Sequence, residues 1–236
     1  MITVYTMAFN EEILMQFMID HYRSRFPNCH IVVYDNESTD KTAEIANNNN
    51  CEVINYSTNN QVDDEKLRHL KNNCWKNAAT DWVLVCDVDE MLDINEQQLV
   101  EEDKTGTTII TSEAYNMVNL KDNYDLANIK NGVRCESYDK SFLFKKSSIN
   151  EINYVHGGHR CFPSGKIKKS EKPYLTYHYM NIHPEATYNK FLYTRTRLSE
   201  INRRNKWGAQ YDRDVTLDEV KGWFASARQQ VTKVKL

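Results

Sequence analysis

The sequence predicts an α/β domain with a mixed, mainly parallel sheet flanked by helices, and three observations carry that expectation. Segments of strand and helix character alternate four times between Ile2 and Cys86, the pattern of right-handed βαβ units on a parallel sheet. One strand, Trp82-Val83-Leu84-Val85-Cys86, is a short, β-branched apolar run, as expected of a strand covered on both faces. The 236 residues, 40% hydrophobic and 27% charged, suffice for one globular domain spanning residues 1–236.

The elements follow in order. Ile2–Met7 reads as the first strand. Asn10 is expected to cap a helix from Glu11, with Ile13, Leu14, Phe17, Met18 and Tyr22 at helical spacing. His30–Tyr34 is the second strand, and Ser38 or Thr39 is expected to cap a helix running to about Asn47. The Asn47–Asn50 tract ends it, because Asn competes poorly for helix interiors. Cys51–Tyr56 is the third strand, Asp63–Ala79 a polar helix and Trp82–Cys86 the fourth strand.

Beyond Glu90 the rhythm changes. Asn95–Glu101 reads as a short helix, Thr107–Ser112 as a strand, and Glu113–Asn131 as polar and weakly patterned. Lys140–Lys145 and Tyr174–Tyr179 are further strands. Pro184–Arg204 reads as one helix opening on a proline at its first turn, and Leu217–Val231 as the last.

A formal net charge of −3 gives no bulk signal for nucleic acid or an anionic membrane. No apolar run is long enough to span a bilayer, and no basic, then apolar, leader opens the chain. The six dispersed cysteines contain no Cys-X-X-Cys pair and read as reduced thiols of a cytoplasmic protein.

The fourth strand ends in Asp87-Val88-Asp89-Glu90. Alternation along an extended chain puts Asp87 and Asp89 on one side of the strand exit, where ligands of open α/β sheets sit. Two carboxylates there suit Mg²⁺ or Mn²⁺ bridging to phosphate. The alternative is that they merely cap a loop or the next helix.

Three strand-end segments taken together, Phe9-Asn10-Glu11-Glu12, Asp35-Asn36-Glu37-Ser38-Thr39-Asp40 and Asp87-Val88-Asp89-Glu90, resemble the family 2 glycosyltransferases of the GT-A fold over roughly residues 1–112. The later segments Tyr138-Asp139-Lys140, Ile152-Asn153-Tyr154, Gly157-Gly158-His159, Tyr177-His178-Tyr179 and Trp207-Gly208-Ala209-Gln210-Tyr211 resemble a bacterial and large-virus subgroup.

The resemblance implies a nucleotide-sugar-binding half (1–112) and an acceptor-binding half (113–236) with C-terminal helices. It implies metal-dependent transfer of a sugar from a nucleoside-diphosphate donor, UDP favoured, to a hydroxyl of a glycan acceptor, with inversion. Asp89 is the expected metal ligand. Asp87 is expected at the donor ribose, reaching the metal through water, and Asp35 at the nucleobase, beside the backbone of Met7-Ala8-Phe9. Asn10 and Glu11 are either donor contacts or simply a helix start, and Glu90 either supports the metal ligands or is an exposed acid. His178 is expected to complete the metal set, imidazole suiting Mn²⁺; its other reading is a core histidine. His183 is the poorer candidate.

Inverting transfer needs a general base, and no match to the family's Glu-Asp base motif is present. Candidates are His159 first, then Glu151 and Asp139. Gly157-Gly158, in a chain with only 7 glycines, permits close backbone approach to a ligand or forms a hairpin turn. Arg195, Arg197, Arg203, Arg204 and Lys206 are either a solvated helix face or a lid over the diphosphate, with Trp207 and Tyr211 packing on sugars.

A haloacid-dehalogenase-like phosphatase would use Asp87 as nucleophile, but that motif belongs near a chain's start and is followed by Thr or Val. A sugar nucleotidyltransferase would need a glycine-rich, basic first loop, and Thr6–Glu12 has neither. A non-enzymatic binding domain on the same scaffold would not need the intact Asp pair.

Overall fold

The structure, a computed structural model, describes residues 1–234. Its strands are β1 (Ile2–Ala8), β2 (His30–Asp35), β3 (Glu52–Asn55), β4 (Trp82–Asp87), β5 (Glu90–Asp93), β6 (Ile109–Ile110), β7 (Ser112–Val118), β8 (Asn131–Arg134), β9 (Leu143–Lys145), β10 (Ile149–Glu151), β11 (Ser164–Gly165), β12 (Tyr174–Asn181) and β13 (Thr232–Lys233). Its helices are α1 (Glu12–Arg25), α2 (Thr42–Asn48), α3 (Asp64–Asn73), α4 (Glu96–Lys104), α5 (Pro184–Arg197), α6 (Glu200–Asn205) and α7 (Leu217–Gln230).

The main sheet runs β3-β2-β1-β4-β9-β6. Its first four strands are parallel, β9 pairs antiparallel with β4, and β6 pairs antiparallel with β9, so the expected mixed, mainly parallel α/β architecture is present. A second sheet runs β13-β8-β7-β12-β5. Period-two alternation splits β4 between two cores. Trp82, Leu84 and Cys86 pack with α1 through Met15, Met18 and Ile19. Val83 and Val85 pack on the other side with Trp75 and Phe144.

Several elements differ from the sequence reading. Asn10 does not cap α1; it takes a left-handed φ of 54° and its side-chain oxygen accepts the Thr39 N–H at 2.8 Å. The first N–H groups at that end are satisfied from across the loop, Glu11 by Thr42 Oγ1 at 2.7 Å and Glu12 by Asp40 Oδ2 at 3.1 Å. Ser38 and Thr39 are likewise spent on Asn10, and α2 starts only at Thr42. Local cap propensity thus yields to a tertiary exchange between the two loops. The weakly patterned Glu113–Asn131 stretch holds most of β7, which pairs with β12 and β8. The expected Pro184–Arg204 helix breaks at Leu198, where Ser199 caps a new helix by accepting the Asn202 N–H. Asn95 caps α4 with the reciprocal Gln98 bond of a capping box. No helix among the described residues is long and apolar enough to cross a membrane.

Candidate active site

The ends of β1 and β4 open on a cavity of about 430 Å³, lined among others by Phe9, Glu11, Lys71, Asp87, Asp89, His159, His178, Lys190, Arg197 and Trp207. Asp87 continues the alternation of Val83 and Val85 toward α3. There Lys71, its side chain 4% exposed, grips both carboxylate oxygens at 2.6 and 2.8 Å. The chain then turns at Val88-Asp89 instead of staying extended. The two carboxylates therefore reach the cavity by a turn and not by strand alternation, and each faces its own cation.

Asp89 meets the second sheet. Its carbonyl accepts the Tyr179 N–H at 2.7 Å. Antiparallel pairing sets His178 against Glu90, and parallel pairing sets it against Asn116. Asn116 Oδ1 accepts from His178 Nδ1 at 2.8 Å, which leaves Nε2 as a lone-pair donor 3.7 Å from Asp89 Oδ2. Lys190 lies 3.6 Å from the same oxygen and 2.8 Å from Glu11 Oε1. Burial alone would raise the pKa of Asp89; the Lys190 ammonium does most to hold it well below the carboxylate range. Burial opposes the charge of Lys190 too, but Glu11 and Asp89 keep it well above its ordinary value.

Glu90 is buried, not an exposed acid: it pairs with Lys140 at 2.7 Å, each side chain 2% exposed. Its other oxygen accepts the Asp87 N–H at 3.1 Å, so this pair fixes the turn between the two aspartates. Among the described residues no three His, Cys, Asp or Glu side chains converge as a metal cage. Asp89 Oδ2 and His178 Nε2 nonetheless stand 3.7 Å apart, a pair of groups that can ligate one cation when Nε2 is unprotonated. The His178 ring is fixed by its other nitrogen, as in metal-bound histidines. This donor pair fits Mg²⁺ or Mn²⁺, which commonly take their remaining ligands from phosphate and water.

The other expected residues fall as follows. Asp35 is buried at the end of β2; its Oδ2 accepts the Ser38 N–H at 3.2 Å and its Oδ1 has no partner. Ala8, Phe9, Asn36, Tyr56 and Arg197 line an adjoining recess of about 140 Å³. Arg197 stacks 3.1 Å over the Phe9 ring, bonds Asn36 Oδ1 at 2.9 Å and lies 7% exposed. Asn10 lines a smaller groove beside Glu11. His159 lines the main cavity, edge-on to Tyr138, its Nδ1 buried without a partner. Burial first, then the Lys140 charge, lowers its pKa. Asp139 lies outside the lining of that cavity and accepts from Arg134 and from the Ala114 N–H. Glu151 lies outside it as well, paired with Lys76 at 2.7 Å.

Gly157 and Gly158 form the turn with φ of 76° and 71°. A Cβ on Gly158 would lie 2.9 Å from Lys71 Nζ, so the glycine leaves room for the lysine that holds Asp87. Of the late basic cluster only Arg197 enters the site. Arg195 and Arg203 pair with Asp214 and Asp212. Trp207 stacks on His156 at 3.5 Å, and His156 bonds Glu65 at 2.6 Å. His183 caps α5, accepting the Glu185 N–H at 3.3 Å.

Sequence reasoning missed Lys71, Lys190 and Asn116. Lys190 carried a usable signal: it lies between Thr187 and Thr194 on the face of α5 that is buried at Thr187, Phe191, Thr194 and Arg197.

Residues 3–116 match the family described as glycosyl transferase family 2. No curated protein matches the chain. Among solved structures, the chain is similar to S. aureus TarS, at 15% identity over 80% of this chain and 38% of that one, TM-score 0.45. It is also similar to glucosyl-3-phosphoglycerate synthase from Mycobacterium tuberculosis in complex with Mn²⁺, UDP and glucosyl-3-phosphoglycerate, at 21% over 48% and 43%, TM-score 0.35. A third is a mannosyltransferase from Pyrobaculum calidifontis in complex with GDP-Man and Mn²⁺, at 16% over 47% and 34%, TM-score 0.35. The chain spans less than half the length of each of these three.

Proposed function

We propose that this chain, whose residues 3–116 match glycosyl transferase family 2, moves one sugar from a UDP-linked donor to a glycan hydroxyl by metal-assisted single displacement, with inversion. The observation that carries this reading is the meeting, in one cavity, of Asp89, of His178 with its Nε2 3.7 Å from Asp89 Oδ2, and of His159.

Asp89 and His178 would hold Mn²⁺ or Mg²⁺, which when bound offsets the charge developing on the leaving diphosphate. Asp87, held by Lys71, is set to take a ribose hydroxyl. The Phe9–Arg197 recess takes the base. His159 takes the acceptor hydroxyl proton as the acceptor oxygen bonds the anomeric carbon. The bond to the diphosphate breaks with its electron pair on phosphate oxygen. The lowered pKa keeps the imidazole neutral and able to accept that proton near neutral pH. Residues beyond Glu113 build the acceptor side. A cytoplasmic setting accords with six cysteines that are all free thiols.

Nucleotide sugars are incubated with the protein, Mn²⁺ and glycan acceptors, and the product anomer is read by NMR. Inversion is expected. Retention would remove the role of His159, and release of a phosphomonoester would replace the reading with a phosphatase.

A further inference from the structure

One cation in the cavity remains outside the mechanism. Lys190 projects from α5 across to β1 and β4, tying Glu11 at 2.8 Å and standing 3.6 Å from Asp89 Oδ2. An ammonium has three N–H donors. Glu11 takes one, and no other acceptor lies within hydrogen-bond distance among the described residues. The remaining donors belong to the cavity that Lys190 lines.

The surrounding charges give this lysine two opposed effects. Glu11, Asp87, Asp89 and Glu90 contribute four negative charges, and Lys71, Lys140 and Lys190 three positive ones. Lys71 and Lys140 are themselves buried, and each is held on a carboxylate, Asp87 or Glu90. Lys190 alone of the three has its side chain 28% exposed. A divalent cation approaching Asp89 Oδ2 is repelled by an ammonium already beside that oxygen. A diphosphate entering the same cavity is attracted by it.

We propose that Lys190 is a counter-ion exchanger. Without ligand it occupies the field of Asp89 and weakens binding of metal alone. When a nucleoside diphosphate enters, it turns its free donors to phosphate and the metal and nucleotide then bind together. Lys190 thereby makes metal loading depend on the donor and links α5 to the filled site. The inference rests on the nucleotide-donor reading above.

The two opposed signs supply the test. Binding of Mn²⁺ alone, of UDP or GDP in EDTA, and of each nucleotide with Mn²⁺ is measured by calorimetry for the wild type, Lys190→Met and Glu11→Gln. Lys190→Met is expected to bind Mn²⁺ alone more tightly and nucleotide in EDTA about tenfold more weakly, the loss of one charge-assisted hydrogen bond. Glu11→Gln is expected to shift both the other way, and it keeps the test intact if Lys190→Met does not fold. Shifts in the same direction, or none, would overturn the exchange. Wild type that binds nucleotide only with Mn²⁺, with both variants unchanged, refutes the role of Lys190 and spares the donor reading. No nucleotide binding under any condition refutes both.

Discussion

The floor of the cavity and its outer wall are held by different physics. The floor, where β1, β4, β5 and β12 meet, is fixed by backbone ladders, by the Lys140–Glu90 ion pair removed from water, and by the buried Lys71 that grips Asp87. The outer wall, α5, α6 and residues 207–211, is held by aromatic contacts and by ion pairs open to solvent. His156 stacks on Trp207 and Phe191 packs against Tyr211. Arg195–Asp214 leaves the aspartate 88% exposed. A charge constellation that must hold reacting groups in place needs the first kind of support. A surface that admits and releases large substrates works with the second.

The sharpest way to break this contrast is to cut one pair in each region. Lys140→Met strands a buried Glu90 carboxylate and should cost about 3–5 kcal/mol, against at most about 1 kcal/mol for Asp214→Ala at the rim. Chemical denaturation measures both. The double variant Lys140→Met/Glu90→Gln should regain much of the loss, because no unpaired charge is left.

The floor should also report pH. His21 on α1 contacts the Leu92 carbonyl at 2.9 Å. Burial, with Arg25 adding to it, lowers its pKa from 6.5 to about 4. The folded state resists protonation, so the stability from this group is complete above pH 6.5. It is lost as pH falls from there toward 4, at most about 3 kcal/mol in all. His21→Gln should flatten that part of the stability–pH curve; an unchanged curve would show that the ring titrates as in the unfolded chain.

A smaller effect tests how the two sheets share the site. Asn116→Leu keeps the size of the side chain but removes the acceptor for His178 Nδ1. Mn²⁺ affinity in the presence of UDP should fall about 10- to 100-fold, with the midpoint of thermal unfolding little moved. A large drop in stability with metal affinity intact would return His178 to the core.

The same contrast decides what could be read from the sequence. Strand ends with uniform apolar runs before them, as at Asp35 and Asp87-Asp89, were legible because the parallel sheet imposes one rule on them all. The turn at Val88-Asp89 was not, since it depends on Glu90 reaching back to the Asp87 N–H and on Lys140 from a distant strand. His178 could be named as a ligand candidate. Its fixing by Asn116 could not, because that contact needs the register of β7 against β12, two strands separated by 55 residues. Asp139 and Glu151 carry the right chemistry for a base, yet each is turned to a cation, Arg134 or Lys76, that sequence spacing does not bring near.

The central claim is that Asp89 and His178 hold a divalent cation on a nucleoside diphosphate. Calorimetric titration of UDP with Mn²⁺ and with EDTA, on the wild type and on Asp89→Asn, tests it most directly. The account predicts tighter UDP binding with Mn²⁺ in the wild type and no Mn²⁺ enhancement in the folded variant. Equal UDP affinity in Mn²⁺ and EDTA for the wild type, or full enhancement in Asp89→Asn, would contradict it.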